Sequence, residues 1–254
     1  MKIAMIVLAS LCVPHVAFAK GPADDVAKLV DAQIAAWSKG TADGGDGASL
    51  YTRIARDGKS AWISFELYMK VDRTEDGVAS FPERDYRVTE LAVSTADGWK
   101  LAGGTWSQER DNATINKLAV AGKAPALARL ASEVGDKSLR EAFAAMIGAP
   151  LGATAGARKD LVVFGSGFGE RTVGGAGFKK AWDAAWQGHL AIVGANIAHL
   201  APSGTTGWVV ANVELAKKAG KQSYKIPFRL VCVFDQDATG AWSLVHAHFA
   251  VAPT

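Results

Sequence analysis

The stretch GAWSLVHAHFAVAP, Gly240–Pro253, reads as a β-strand behind a glycine turn, and it has a counterpart early in the chain: DGWKLAGGTWSQ, Asp97–Gln108. Two further stretches repeat in the same order. AWISFEL at 61–67 matches GWVVANVEL at 207–215, and RDYRVTELAVS at 84–94 matches IPFRLVCVFD at 226–235. Under this match Trp62 pairs with Trp208, Arg87 with Arg229 and Trp99 with Trp242. Arg87 to Trp99 spans 12 positions and Arg229 to Trp242 spans 13. Self-similarity of this kind sets the architecture before any local reading does. Each copy is a short meander of strands rich in aromatic and β-branched residues, closed by a hairpin.

Outside the strands the pattern changes to helical spacing. Val26, Leu29, Val30, Ile34 and Trp37 predict a helix over 24–38, and KGTADGGDG then breaks it. APALARLASEV (124–134) and SLREAFAAMI (138–147) read as helices, and APLGATAGA (149–157) as a connector. DLVVFGSG (160–167) is a short strand with a turn. GGAGFKKAWDAAWQG (174–188) is a helix with Phe178, Trp182 and Trp186 on one stripe and Gly188 as its stop. The second copy is therefore helices, a short strand, a helix, then three or four strands. The first is abbreviated, with no counterpart of DLVVFGSGFGERTVG.

Composition bounds the function. Of 254 residues, 49% are hydrophobic and 21% charged, an ordinary globular balance for one or two domains. The 28 basic and 25 acidic residues are interspersed, so no electrostatic footprint for nucleic acid is present. The start is a basic MK, an apolar stretch and AFA at 17–19, the pattern of a signal peptide cleaved after Ala19. This predicts export to the periplasm or beyond, without stable membrane insertion. Cleavage removes Cys12 and leaves Cys232 alone in RLVCVF, which excludes an intramolecular disulfide and reads as a buried, inert thiol. No G-x-S-x-G, phosphate-cradling loop with lysine, H-E-x-x-H or C-x-x-C occurs, so no cofactor and no metal is indicated. GSGFG at 165–169 reads as a turn.

The C-terminal half resembles the SnoaL-like branch of the nuclear transport factor 2-like superfamily. The resemblance rests on Asp160 before a short apolar strand, Glu170 in a Gly-Glu turn, Gly174 before a helix, and the ending Trp242, His246 and His248. The association domain of calcium/calmodulin-dependent kinases shares that ending. The resemblance covers residues 120–254, and the repeat extends it to 24–112. It implies an α+β fold: a cone in which helices pack on a curved antiparallel sheet, with a pocket between them; with the repeat, two tandem units are expected. The expected boundaries are 1–19 for the signal peptide, 20–115 for the abbreviated unit and 116–254 for the complete one. The two sheets are expected to pack as an internal pseudo-dimer, in place of a homodimer. Fold does not give function here, since the family holds isomerases, cyclases and noncatalytic modules alike.

His246 and His248 share one strand face. A zinc pair needs more ligands than His189 and His199 add, and a general base needs an orienting partner. The favoured alternative is that both hydrogen-bond within the sheet or at a dimer face. Arg229, bracketed by Phe228 and Leu230, is expected to be largely buried, and so to need an internal carboxylate or an anionic ligand. The matching arginine of the kinase association domain lines a pocket, so the resemblance implies an acidic small molecule. Trp182, Trp186 and Trp208 offer flat apolar surface, to a ligand or to the core. Asn212 and Glu214 share the strand face of Trp208, and Glu214 is a candidate proton acceptor if an apolar pocket raises its pKa. The ligand-binding set is thus Trp182, Trp186, Trp208, Asn212, Arg229 and His248, with His246, His248 and Glu214 as catalytic alternatives. In the first copy Gly103 stands where His246 does and Thr105 where His248 does; two adjacent glycines, Gly103 and Gly104, predict a bulge or a close approach of another backbone.

Overall fold

The computed structural model describes residues 22–29, 32, 42–43, 51–71, 73–75, 78–80, 83–111, 115, 134–149, 158–167, 170–185, 188–219 and 222–251. Its class is α+β, as the sequence predicts. Residues 22–29 form helix α1. The N-terminal sheet contains β1 (Ala42–Asp43), β2 (Tyr51–Ile54), β3 (Ser60–Val71), β6 (Glu83–Thr95) and β7 (Gly98–Gln108), in the order β1-β3-β6-β7 with β2 also on β3. A separate ribbon pairs β4 (Arg73–Glu75) with β5 (Val78–Ser80). The C-terminal half contains β8 (Val134–Gly135), helix α2 (Lys137–Gly148), β9 (Val162–Phe164), β10 (Arg171–Val173), helix α3 (Gly175–Ala185), β11 (His189–Leu200), β12 (Thr206–Ala219), β13 (Gln222–Gln236) and β14 (Trp242–Val251). Its sheet runs β10-β9-β14-β13-β12-β11-β8. The long strands are antiparallel; β9 joins β14, and β8 joins β11, in parallel. Among the described residues no helix is long and apolar enough to cross a membrane.

Strand alternation assigns each residue its side. In β12, Val209, Ala211, Val213 and Leu215 face one way, and in β13 Phe228, Leu230, Cys232 and Phe234 join them. This face meets Leu139, Phe143, Met146 and Ile147 of α2 and Phe178 and Trp182 of α3. Those spacings put each set on one helical stripe. Asp136 starts α2 by accepting a hydrogen bond from the Leu139 amide at 2.8 Å. In β3, Ala61, Ile63 and Phe65 likewise face Val26 of α1.

The opposite faces of the two sheets pack on each other. Ala55, Trp62 and Leu91 from the first meet Ala201, Trp208, Val231, Val233 and Val245 from the second. Register is alike in the two halves. Trp62 pairs with Leu91 and Glu66 with Arg87; Trp208 pairs with Val233 and Asn212 with Arg229. One extra residue interrupts each last hairpin, Ala102 against Leu91/Ala92 and Val245 against Val233/Phe234. Such bulges bend a strand locally.

The expected helix over 138–147 lies within α2, and the short strand of 160–167 is β9. Helix 24–38 is described only at 22–29 and residue 32, and most of 124–134 and 149–157 lies outside the described residues. Strand β11 was not singled out in the sequence: HLAIVGANIAHL carries two glycine- or alanine-rich interruptions, and its register shifts between Ile192 and Asn196.

Candidate functional site

The contact between the sheets holds the polar groups that the C-terminal histidines were expected to serve. His246 and His248 point from β14 to the first sheet and are fully buried. Thr89 Oγ1 lies 2.9 Å from His246 Nε2 and 2.9 Å from His248 Nδ1. Ser107 Oγ lies 2.7 Å from His248 Nε2, and Ser64 Oγ 3.3 Å from His246 Nε2. A hydroxyl has one proton, so Thr89 donates to one ring and accepts from the other. That chain is complete when both rings are neutral. Burial drives the His246 pKa down from 6.5 to about 3. Burial also lowers His248, helped by His246 and the Arg87 cation. His246 Nδ1 turns toward the Val162 backbone without an aligned hydrogen bond. Phe164 meets both rings edge-on, at 5.9 and 5.7 Å between centroids.

Arg87 anchors the same seam. Its side chain is fully buried, and Nη1 donates to the carbonyls of Gly165 and Gly167 at 2.7 and 2.8 Å. Its Nε lies 3.4 Å from Glu66 Oε1, and Nη2 lies at ion-pair distance, 2.7 Å, from Glu109 Oε1. Arg171 completes a bridge to Glu66 Oε2 at 2.9 Å. The guanidinium stands 5.8 Å above the Phe164 ring. The 165–167 turn is held by Glu170, whose Oε2 accepts from the Gly167 amide at 2.8 Å.

The structure does not bring the sequence-derived binding set together. Trp182 is buried on the helix side of the C-terminal sheet, against Phe178 and Phe249. Trp208 lies on the opposite side, in the contact between sheets, with His199 stacked on it at 5.6 Å. Asn212 is buried on that same side, because it lies four residues along β12 from Trp208 without a register shift. Arg229 corrects the expectation of burial: it is exposed, paired across the ladder with Asn212. Phe228 and Leu230 bracket it in sequence but point to the other face, so their burial does not enclose it. Glu214 is partly buried and ion-paired with Lys225 at 2.8 Å, on the side away from the helices. Trp186 lies outside the described residues. Asp160 pairs with Arg158, whose Nη2 lies 2.9 Å away and which, with desolvation opposing, holds the carboxyl below its usual range. Among the described residues no group of three or more His, Cys, Asp or Glu could hold a metal ion.

Sequence reading missed Thr89, Ser64 and Ser107 as the partners of the histidines. The available signal was the repeat itself. Thr89 follows Arg87 by two, on the same face, where the second copy has Val231; polar residues on a face that its copy fills with valine mark a buried polar contact.

No known family model matches the chain, and no curated protein matches it in sequence. Several solved structures are similar to it at low identity. A nuclear transport factor 2-like superfamily protein from Salmonella enterica serovar Typhimurium is 12% identical, with a TM-score of 0.39, over 46% of this chain and 91% of that one. A CaMKII hub from S. rosetta is 18% identical, with a TM-score of 0.38, over 50% and 99%. A ketosteroid isomerase-like protein from Erwinia carotovora atroseptica is 14% identical, with a TM-score of 0.35, over 46% and 94%.

Proposed function

We propose that the chain is an exported, noncatalytic binding module of two tandem nuclear transport factor 2-like units, the first abbreviated, packed as an internal pseudo-dimer. Two features support the tandem reading: the matching registers, and extra residues at the same place in both hairpins. The same faces of both sheets meet, as in an isologous contact. The assignment of the C-terminal unit to the SnoaL-like branch rests on Asp160, Glu170, Gly174, Trp242, His246 and His248. The signal peptide reading rests on residues 1–19 of the sequence.

The ligand of this reading is a small, predominantly apolar molecule bound on the helix side of the C-terminal unit, at Trp182. One observation carries it. The helix-side wall is built of Phe178, Trp182, Phe228 and Phe249, while the candidate bases Glu214, His246 and His248 all stand on the other side of the sheet. A general base must reach its substrate, and both imidazoles are sealed. Thermal shift of residues 20–254 against steroids, aromatic acids and small carboxylates tests it, since a ligand of the native state raises Tm. Stabilisation by an apolar ligand that is lost in Trp182→Phe, without turnover, supports the reading. Stabilisation by a carboxylate that is lost in Arg229→Ala replaces it with the acidic-ligand reading. The second reading is a structural or oligomerisation module, favoured by the sealed polar seam. A single stable oligomer in analytical ultracentrifugation, with no ligand-induced shift, selects it.

A further inference from the structure

The helix-side face of the N-terminal sheet carries a buried carboxylate, Glu90. Strand β6 turns Tyr86, Val88 and Ala92 toward α1, into a cluster with Val26, Ile63, Phe65, Trp99, Leu101 and Trp106. Glu90 alternates with them and is only 5% exposed. Its ladder neighbours are Ile63 on β3 and Gly104 on β7. The Trp106 indole Nε1 donates to Glu90 Oε1 at 2.8 Å. A Cβ on Gly104 would fall 2.3 Å from Glu90 Oε2. Glycine at 104 therefore makes room for the carboxylate, and the Thr89 carbonyl, 2.6 Å from the same Cβ position, is the close backbone approach expected from the Gly103-Gly104 pair.

Among the described residues no Lys, Arg or His forms an ion pair with Glu90, and the Trp106 indole is its side-chain hydrogen-bond donor. An uncompensated carboxylate out of water is unfavourable by several kcal/mol. Burial accordingly raises its pKa, with only the Trp106 hydrogen bond opposing. A glutamine would keep the indole bond without the charge. The Trp106 ring stands beside it, and the Tyr86 ring follows along the same face, 6.3 Å from the Trp106 ring and tilted by 58°. Gly104 is exposed on β7, the edge strand of the sheet, so the carboxylate lies next to an open rim.

We propose that Glu90, Trp106 and Tyr86 form a binding site for a small organic ammonium ligand, whose N–H donates to Glu90 Oε2 while its apolar body lies against the two rings. A cation supplies the charge partner that the buried carboxylate lacks. Aromatic faces attract the same cation, and an anion is repelled. The site stands on the other sheet from Trp182 and is independent of the C-terminal reading.

The test is calorimetric titration of the full chain at neutral pH with benzylamine, and with benzyl alcohol and benzoate as charge controls. Benzylamine binds at one site per chain. Benzyl alcohol binds about tenfold or more weakly than the amine, because its neutral hydroxyl brings no positive charge to the carboxylate. Benzoate does not bind. Glu90→Gln abolishes amine binding without lowering Tm, and Trp106→Phe weakens it. Absence of saturable benzylamine binding overturns the proposal. So does equal binding of benzylamine and benzyl alcohol, or amine binding that survives Glu90→Gln. Should that variant not fold, Trp106→Leu decides: it removes the indole from the site, and undiminished affinity refutes the site.

Discussion

Arg87 and Arg229 occupy equivalent positions of the repeat, yet their removal is expected to have very different consequences. Arg87→Ala deletes a fully buried guanidinium that donates to two backbone carbonyls and faces Glu66 and Glu109. Breaking a buried ion pair by removing one partner costs about 3–5 kcal/mol. The orphaned Gly165 and Gly167 carbonyls each add ~1–3 kcal/mol if no water replaces the donor. Glu66 is 25% exposed and keeps Arg171, which discounts its share. With that discount a net loss of about 4–8 kcal/mol follows, or a Tm lower by roughly 10–30 °C for a chain of this size. Arg229→Ala, on an exposed side chain, is expected to stay within about 0.5 kcal/mol of wild type. Scanning calorimetry and guanidinium midpoints of both variants measure the difference. The cause lies in the 165–167 turn, which covers Arg87 and has no counterpart over Arg229 among the described residues. Equal effects of the two substitutions, or a loss under about 1 kcal/mol for Arg87→Ala, within the usual surface range, would refute this account.

Three further outcomes follow from the buried groups. His246 and His248 are neutral in the fold, so below pH 6.5 the unfolded chain takes up protons that the folded chain refuses, and stability falls toward acid until about pH 3 for His246. The slope reaches ~1.4 kcal/mol per pH unit for each ring, and the urea midpoint between pH 7 and 4 should fall less steeply in His246→Gln; an unchanged slope counts against the sealed seam. Glu90 titrates the other way: its raised pKa means the folded state holds the proton longer, so stability declines as pH rises above 4.5. Glu90→Gln should remove that decline, and a variant with the wild-type profile would show that the carboxylate is not desolvated. Burial pushes the Cys232 thiol far up, so it should react with a thiol reagent only as fast as the protein unfolds; rapid labelling of the native protein would contradict its place in the core.

The fold class was legible in the sequence because strand alternation and helical stripes are local signals. AWISFEL and GWVVANVEL each carry a two-residue period, and SLREAFAAMI carries a helical one, whatever they pack against. The matching order of Trp62, Arg87 and Trp99 with Trp208, Arg229 and Trp242 was visible for the same reason, and the two sheets hold the matched tryptophans and arginines in like register. The side of the sheet on which a residue works was less legible. Placing Trp208, Asn212 and Glu214 on one face of β12 needed only the period of a strand, but whether that face meets helices or another sheet depends on which is more apolar overall. Arg229 shows the limit most plainly. Its sequence neighbours are buried and it is not, because burial on a strand comes from whatever lies across the face, here a turn 78 and 80 residues away in Arg87's case and nothing equivalent among the described residues in its own. The pairing of Thr89 with His246 and His248 lay equally beyond the sequence: it joins residues 157 and 159 positions apart, and only the packing of one sheet on the other brings them within hydrogen-bond reach.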